Sequence, residues 1–222
     1  MARDCSTASF AMLLFPLPSR LRVLRQLLLV SAALASLVAW PLHATSVTPP
    51  TFPALVDRSG SVFRGEVIAQ RAELVTRGAD RAIFTHVTFR VVEVLKGTPP
   101  AVVTLEFLGG TVGELTLDVA GMPQFTVGRQ EIVFVENAGP QICPLVAMSF
   151  GRYRIQRDAA GAEFVARDNG APLITVDEIS LPLTSPAVAT LTARLALAGA
   201  KPLTPADFGG QVRREVTRKH TP

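Results

Sequence analysis

The sequence predicts a mainly β fold, a small sheet curled into a β-barrel and followed by a C-terminal helical extension. Three observations predict it. Short runs of alternating apolar and polar residues recur between residues 61 and 166, separated by Gly- and Pro-rich turns. One of these runs changes phase part-way along, as a strand bending at a bulge does. From residue 185 the apolar spacing turns helical, through Val188, Leu191 and Leu195.

In chain order, a Pro/Thr linker (45–53) leads to one helical turn at 54–58, closed by Ser59 and Gly60. The first strand, SVFRGEVIAQRAEL, alternates imperfectly around Gly65. The second, AIFTHVTFRVVEVLKG, puts Phe84, Val87, Phe89 and Val91 on one side before its phase slips at Val92–Val94. A strand that bends at such a slip is how a small sheet coils toward a barrel. Lys96-Gly97 ends it and Pro99-Pro100 blocks its continuation. AVVTLEFLGG follows as a hairpin partner. Past the glycine turn at 109–113, ELTLDV alternates until Gly121 and Pro123 halt it. QEIVFVE then carries apolar residues on both faces. Between those two strands Phe125 is a lone aromatic on a short connection, the residue expected to plug the open end of a barrel. Residues 145–149, 152–157 and 162–166 read as short strands, the last two joined by a turn at 158–161. A helix is expected from Ser185-Pro186. A second, over 204–219, is expected to start at Thr204-Pro205 and break at Gly209-Gly210, leaving a frayed basic tail.

The N-terminus reads as a leader. Arg20, Arg22 and Arg25 precede an uncharged apolar run (27–39), then Pro41 and small residues at Ala44 and Ser46, the layout of a secretory signal peptide over 1–44. Cleavage after Ala44 or after Ser46 fits, and Met12 is an alternative start. A retained membrane anchor is the competing reading, since the run approaches the ~20 apolar residues a span needs. The sequence carries a net charge of +4. Four arginines and one aspartate leave with the leader, so the mature chain is close to neutral and lacks the basic face a nucleic-acid binder requires. Cys5 goes too, leaving Cys143 among apolar neighbours as a buried thiol with no disulfide partner.

Templates for chemistry do not assemble. The mature chain has His86 and His220 but no HExxH, and GGTVG lacks the Lys and Ser/Thr of a phosphate-cradling loop. His86 could be paired on paper with Cys143 or Ser149, yet no nucleophile motif flanks them. Glu106, Glu114, Asp118 and Glu131 alternate with apolar residues, as the wet face of a sheet does, with Arg64, Arg90 and Arg154 as surface partners. No cofactor or metal is implied. The weak candidates for ligand contact are Phe125, Arg90, Glu114 and Asp118.

LVDRSGSVFRGEV, VTFRVVEVLKG, LGGTVGELTLDVAGMPQFTVGRQEIVFVE and SFGRYRI together resemble a domain of exported bacterial proteins of uncharacterised role. The match runs over about 54–157, through Leu55, Ser59, Gly65, Lys96, Gly97, Gly109, Gly110, Gly121, Pro123, Phe125 and Gly128. Glu114 stands where that pattern has a glycine, and Arg129 where it has an acid. The layout is also similar to the netrin/TIMP-type OB-fold barrel, which implies an OB-like domain over 54–182 and binding of extracellular proteins. Inhibitors of that type present an N-terminal cysteine to a protease's zinc, and no cysteine follows the leader closely here. The expectation is an exported, periplasmic or extracellular, non-enzymatic module that binds a protein or envelope component. A hydrolase or metal-dependent enzyme built on the strand carboxylates and a membrane-anchored envelope structural protein are the alternatives.

Overall fold

The computed structural model describes residues 48–78, 80–136, 142–183, 193 and 199–220. The expected leader (1–44), residues 45–47 of the linker and the helix expected from Ser185, apart from residue 193, lie outside the described residues.

Helix α1 (Phe52–Arg58) forms where the linker ends. Thr51 Oγ1 accepts from the Ala54 N–H at 3.3 Å, Pro53 supplies a pre-set φ in the first turn, and Phe52, Leu55 and Val56 face the core. Ser59 closes it, its Oγ donating to the Leu55 carbonyl at 2.6 Å. Strands β1 (Ser61–Arg77) and β2 (Asp80–Lys96) make one long hairpin of 17 residues a side, turning at Gly78. Its register shifts three times, between Val62/Phe63, Arg64/Gly65 and Val67/Ala69, so the phase slip seen at Val92–Val94 is a real bulge.

The remaining strands are β3 (Val102–Leu108), β4 (Gly110–Val112), β5 (Leu115–Leu117), β6 (Gln130–Val135), β7 (Arg152–Arg157) and β8 (Glu163–Arg167). Six of them form one antiparallel sheet in the order β3-β2-β1-β6-β7-β8; β4 and β5 pair as a separate small hairpin. Gly109 and Gly110 start that hairpin with φ of 108° and 129°. A Cβ on Gly110 would stand 2.3 Å from Thr85 Oγ1, so only glycine fits this close approach.

The sheet is mainly β as expected, but no barrel closure is found among the described residues: β3 and β8 stay at opposite ends of the sheet. The physical reason lies in its two faces, each of which has its own cover. One face carries Val62, Ile132, Phe134 and Tyr153 under α1 and the last helix. The other carries Phe63, Phe89, Phe107 and Val133 under the connections around Met122, Phe125 and Leu145. Strand β6 feeds both cores, which is why its apolar run is continuous. A sheet covered on both sides has no need to wrap on itself.

Three local expectations change. Residues 145–149 are not a strand: Leu145 makes a single bridge to Val135, and the chain turns through Ala147 (φ 52°) and Met148 (φ 58°) into a 3-10 turn, Met148–Gly151. Helix α2 (Pro205–His220) runs unbroken through Gly209-Gly210. A Cβ on Gly209 would stand 3.0 Å from Leu95 Cδ2, so the glycine lets the helix seat on β2. The C-terminal segment is therefore no frayed tail. Phe208 and Val212 are fully buried, and the Phe208 ring meets Phe52, Phe134 and Tyr153 at 5.0–6.1 Å. No helix among the described residues is long and apolar enough to cross a membrane.

Candidate functional site

The segment GMPQFT (121–126) crosses the second face as a ridge. Gly121 takes φ 79°, and its carbonyl accepts from Ser149 Oγ at 2.7 Å. Phe125 sinks between Phe89 and Phe107, with centroids at 5.3 and 5.0 Å. Its burial follows the sequence expectation; what it covers is the second face of an open sheet, since no barrel closure is found among the described residues. A cleft lies on each side of the ridge, and Gln124 lines both. The first, about 290 Å³, runs along Gln70, Thr85, Thr111 and Phe125. The second is larger, about 490 Å³, and Arg129, Arg152, Arg154 and Arg157 line it with Glu131 as the single acid.

Strand register explains the second cleft. Glu131 pairs with Arg154 and Val133 with Arg152, so β7 presents Arg152, Arg154 and Gln156 on the same face as Glu131. Arg152 is almost wholly buried. It donates to Glu131 through Nη2 at 2.7 Å and Nε at 3.3 Å, and to Asp168 Oδ1 through Nη1 at 2.7 Å. Its guanidinium also lies 4.6 Å over the Phe125 ring. Burial pushes the Glu131 carboxyl above the ordinary carboxylate range, against the pull of Arg152. This clasp ties β6, β7, the turn after β8 and the ridge together, with each of the three Arg152 guanidinium nitrogens donating to a carboxylate.

The other cations are placed differently. Arg157 pairs with Glu163 at 3.0 Å. Arg154 and Arg129 make no ion pair among the described residues, and Arg154 Nε is buried without a hydrogen-bond partner. Arg154 stands opposite Glu131 in the register and helps offset its charge. Neither it nor Arg129 is in a direct ion pair among the described residues, so the cleft keeps a positive surplus that can accept an anion.

The four sequence candidates do not converge. Arg90 is a cross-strand partner of Glu66, at 2.6 Å on the face away from the ridge. Glu114 sits at the exposed tip of the β4–β5 hairpin and Asp118 is exposed just after it. Phe125 alone lines one of the two ridge clefts. Glu106 is tied to Arg77, and Arg64 to Glu163 at 2.8 Å, so these strand charges pair as expected but with other partners. Glu131, expected on a wet face, is instead buried, because Val133 and Arg152 beside it face the second core. His86 Nε2 lies 2.9 Å from Glu73 and 3.8 Å from Glu106, on the opposite face from Cys143 and Ser149. Burial pushes the Cys143 thiol up to about 11, so it is protonated at neutral pH. Among the described residues no three His, Cys, Asp or Glu side chains are grouped to hold a metal ion. Sequence reading missed the clasp and the cleft. The available signal was RYRIQR, whose alternate arginines share one strand face.

Comparison with family models, with curated proteins and with solved structures finds no match to this chain.

Proposed function

We propose that the chain is an exported, non-enzymatic binding module that engages an extracytoplasmic protein or envelope component at the cleft beside the 121–126 ridge. The observation carrying this reading is the pair Arg129 and Arg154, neither of them in an ion pair among the described residues, next to a clasp that fixes the surrounding backbone. Preorganised donors of this kind lower the ordering cost of binding. The apolar leader with its arginine flank supports export to the periplasm or beyond. We also infer an OB-like, netrin/TIMP-like relationship for the sheet, supported by the long bulged β1–β2 hairpin that gives such folds their coil. Nucleic acid is not the partner under this reading, because the mature chain is near neutral.

Capture from an envelope extract tests it. The wild-type chain should retain a defined component that Arg154→Gln does not retain, while broad hydrolase assays stay at background. Turnover in such an assay that disappears on Glu131→Gln, or equal capture by both proteins, would overturn it.

A further inference from the structure

The walls of the Arg-lined cleft combine two chemistries. Arg154 and Arg129 offer planar forks of N–H donors suited to bidentate contact with a carboxylate or phosphate. Gln124, Thr126 and Gln156 line the same cleft with amide and hydroxyl groups that make no protein side-chain hydrogen bond among the described residues. Amides and hydroxyls both donate and accept, which matches ligand hydroxyl groups rather than further charge. The volume, about 490 Å³, falls in the range of small-ligand sites. Little apolar wall is present: of the lining residues only Ile155 is aliphatic, and the nearby Phe125 ring is already covered by Arg152.

We propose that this cleft binds an acidic saccharide, a sugar unit bearing a carboxylate or phosphate. The anionic group meets the half-buried Arg154 guanidinium, which is in no ion pair among the described residues, with Arg129 at the exposed rim. Ring hydroxyls meet Gln124, Thr126 and Gln156. The Glu131–Arg152–Asp168 clasp is a positioning element. By holding Arg152 in its own ion pairs it keeps the ridge in place and leaves Arg154 as the recessed cation. The proposal rests on the binding-module reading above and narrows it to a ligand class.

The test uses protein purified after expression of the full chain, titrated with glucuronate, glucose 1-phosphate, glucose and inorganic phosphate. Calorimetry gives the affinities, and side-chain ¹H–¹⁵N spectra follow the arginine Nε signals. Glucuronate or glucose 1-phosphate should bind at least about tenfold tighter than glucose or inorganic phosphate, the difference expected for losing one charge-assisted contact set. Arg154→Gln should lose about tenfold or more of that affinity, Arg154→Lys should recover part, and Arg218→Gln, on α2 and paired with Glu215, should change nothing. Binding should also weaken with added salt. Equal affinity for glucose and glucuronate, or an unaltered Arg154→Gln variant, overturns the ligand class. If no acidic sugar binds the wild-type protein but an envelope component is still captured through Arg154, the saccharide proposal falls and the module reading stands. If Arg154-dependent capture is absent as well, both fall.

Discussion

Replacing Arg152 by alanine should be among the most damaging single changes in the sheet. Arg152 and Glu131 side chains are each about 2% exposed, and three donated hydrogen bonds join Arg152 to Glu131 and Asp168. Removing the cation leaves the buried Glu131 carboxyl without its hydrogen-bonded partner, with Arg154 as a weaker remaining cation, a loss of roughly 3–5 kcal/mol. Lost contact with the Phe125 ring adds on the order of 0.5–2 kcal/mol. Removing both charges together avoids the orphan. Arg152→Leu with Glu131→Leu should therefore cost much less than the two single changes summed, with a coupling of about 2 kcal/mol or more. Urea denaturation of the wild type, both singles and the double supplies the cycle. If Arg152→Ala is too unstable to fold, Arg152→Lys serves: it keeps charge, loses the fork, and should cost about 1–2 kcal/mol. A loss below about 1 kcal/mol for Arg152→Ala, or strict additivity in the cycle, would refute the clasp.

Phe208→Ala should cost about 3–5 kcal/mol by thermal or urea unfolding, because a fully buried ring among Phe52, Phe134 and Tyr153 is lost. A change near zero would mean α2 is not part of the core. Arg157 first, then Arg64, hold the Glu163 carboxyl below its ordinary range. Its contribution to stability is then full above the unfolded-state value and is lost as pH falls through the lower folded value. Glu163→Gln should flatten that acid-side slope in pH-dependent unfolding. Cys143 should react with a thiol-specific disulfide reagent near pH 8 only as the protein unfolds, since its thiol is buried and pushed up to about 11. Fast labelling of the folded chain would contradict this. Gly97→Ala should destabilise by more than about 1 kcal/mol, because φ is 76° and the added Cβ would stand 2.6 Å from the Gly60 carbonyl. Equal melting temperatures would exclude that contact.

Much of the sheet was legible because apolar spacing reports burial directly. The slip at Val92–Val94 marked a bulge, and the unbroken apolar run of QEIVFV marked a strand with a core on each side. Where local pattern and tertiary contact disagree, the sequence misleads. Two adjacent glycines should break an exposed helix at a cost of ~1 kcal/mol each, yet burial of Phe208 and Val212 outweighs that, and Gly209 eases the close approach to Leu95. The left-handed pair Ala147-Met148 carries no glycine or asparagine to announce it, so 145–149 passed for a strand. Closure is not legible for a related reason: bulges reveal that strands bend, whereas the covers that hold a sheet open come from α1, α2 and the ridge. The site was the least visible part. Arg152 and Glu131 stand 21 positions apart, and only the β6–β7 register brings them together. The sequence candidates are two acids, an aromatic and Arg90, while the cations in no ion pair among the described residues are Arg154 on β7 and Arg129 on the turn before β6.

The most direct measurement of the central claim is quantitative binding of the captured envelope component to wild-type protein and to the Arg129→Gln/Arg154→Gln double variant, at matched folding stability. The account predicts that the double variant changes its unfolding midpoint little and loses at least about tenfold in affinity, since neither arginine side chain is in an ion pair among the described residues. Undiminished binding by that variant would contradict it.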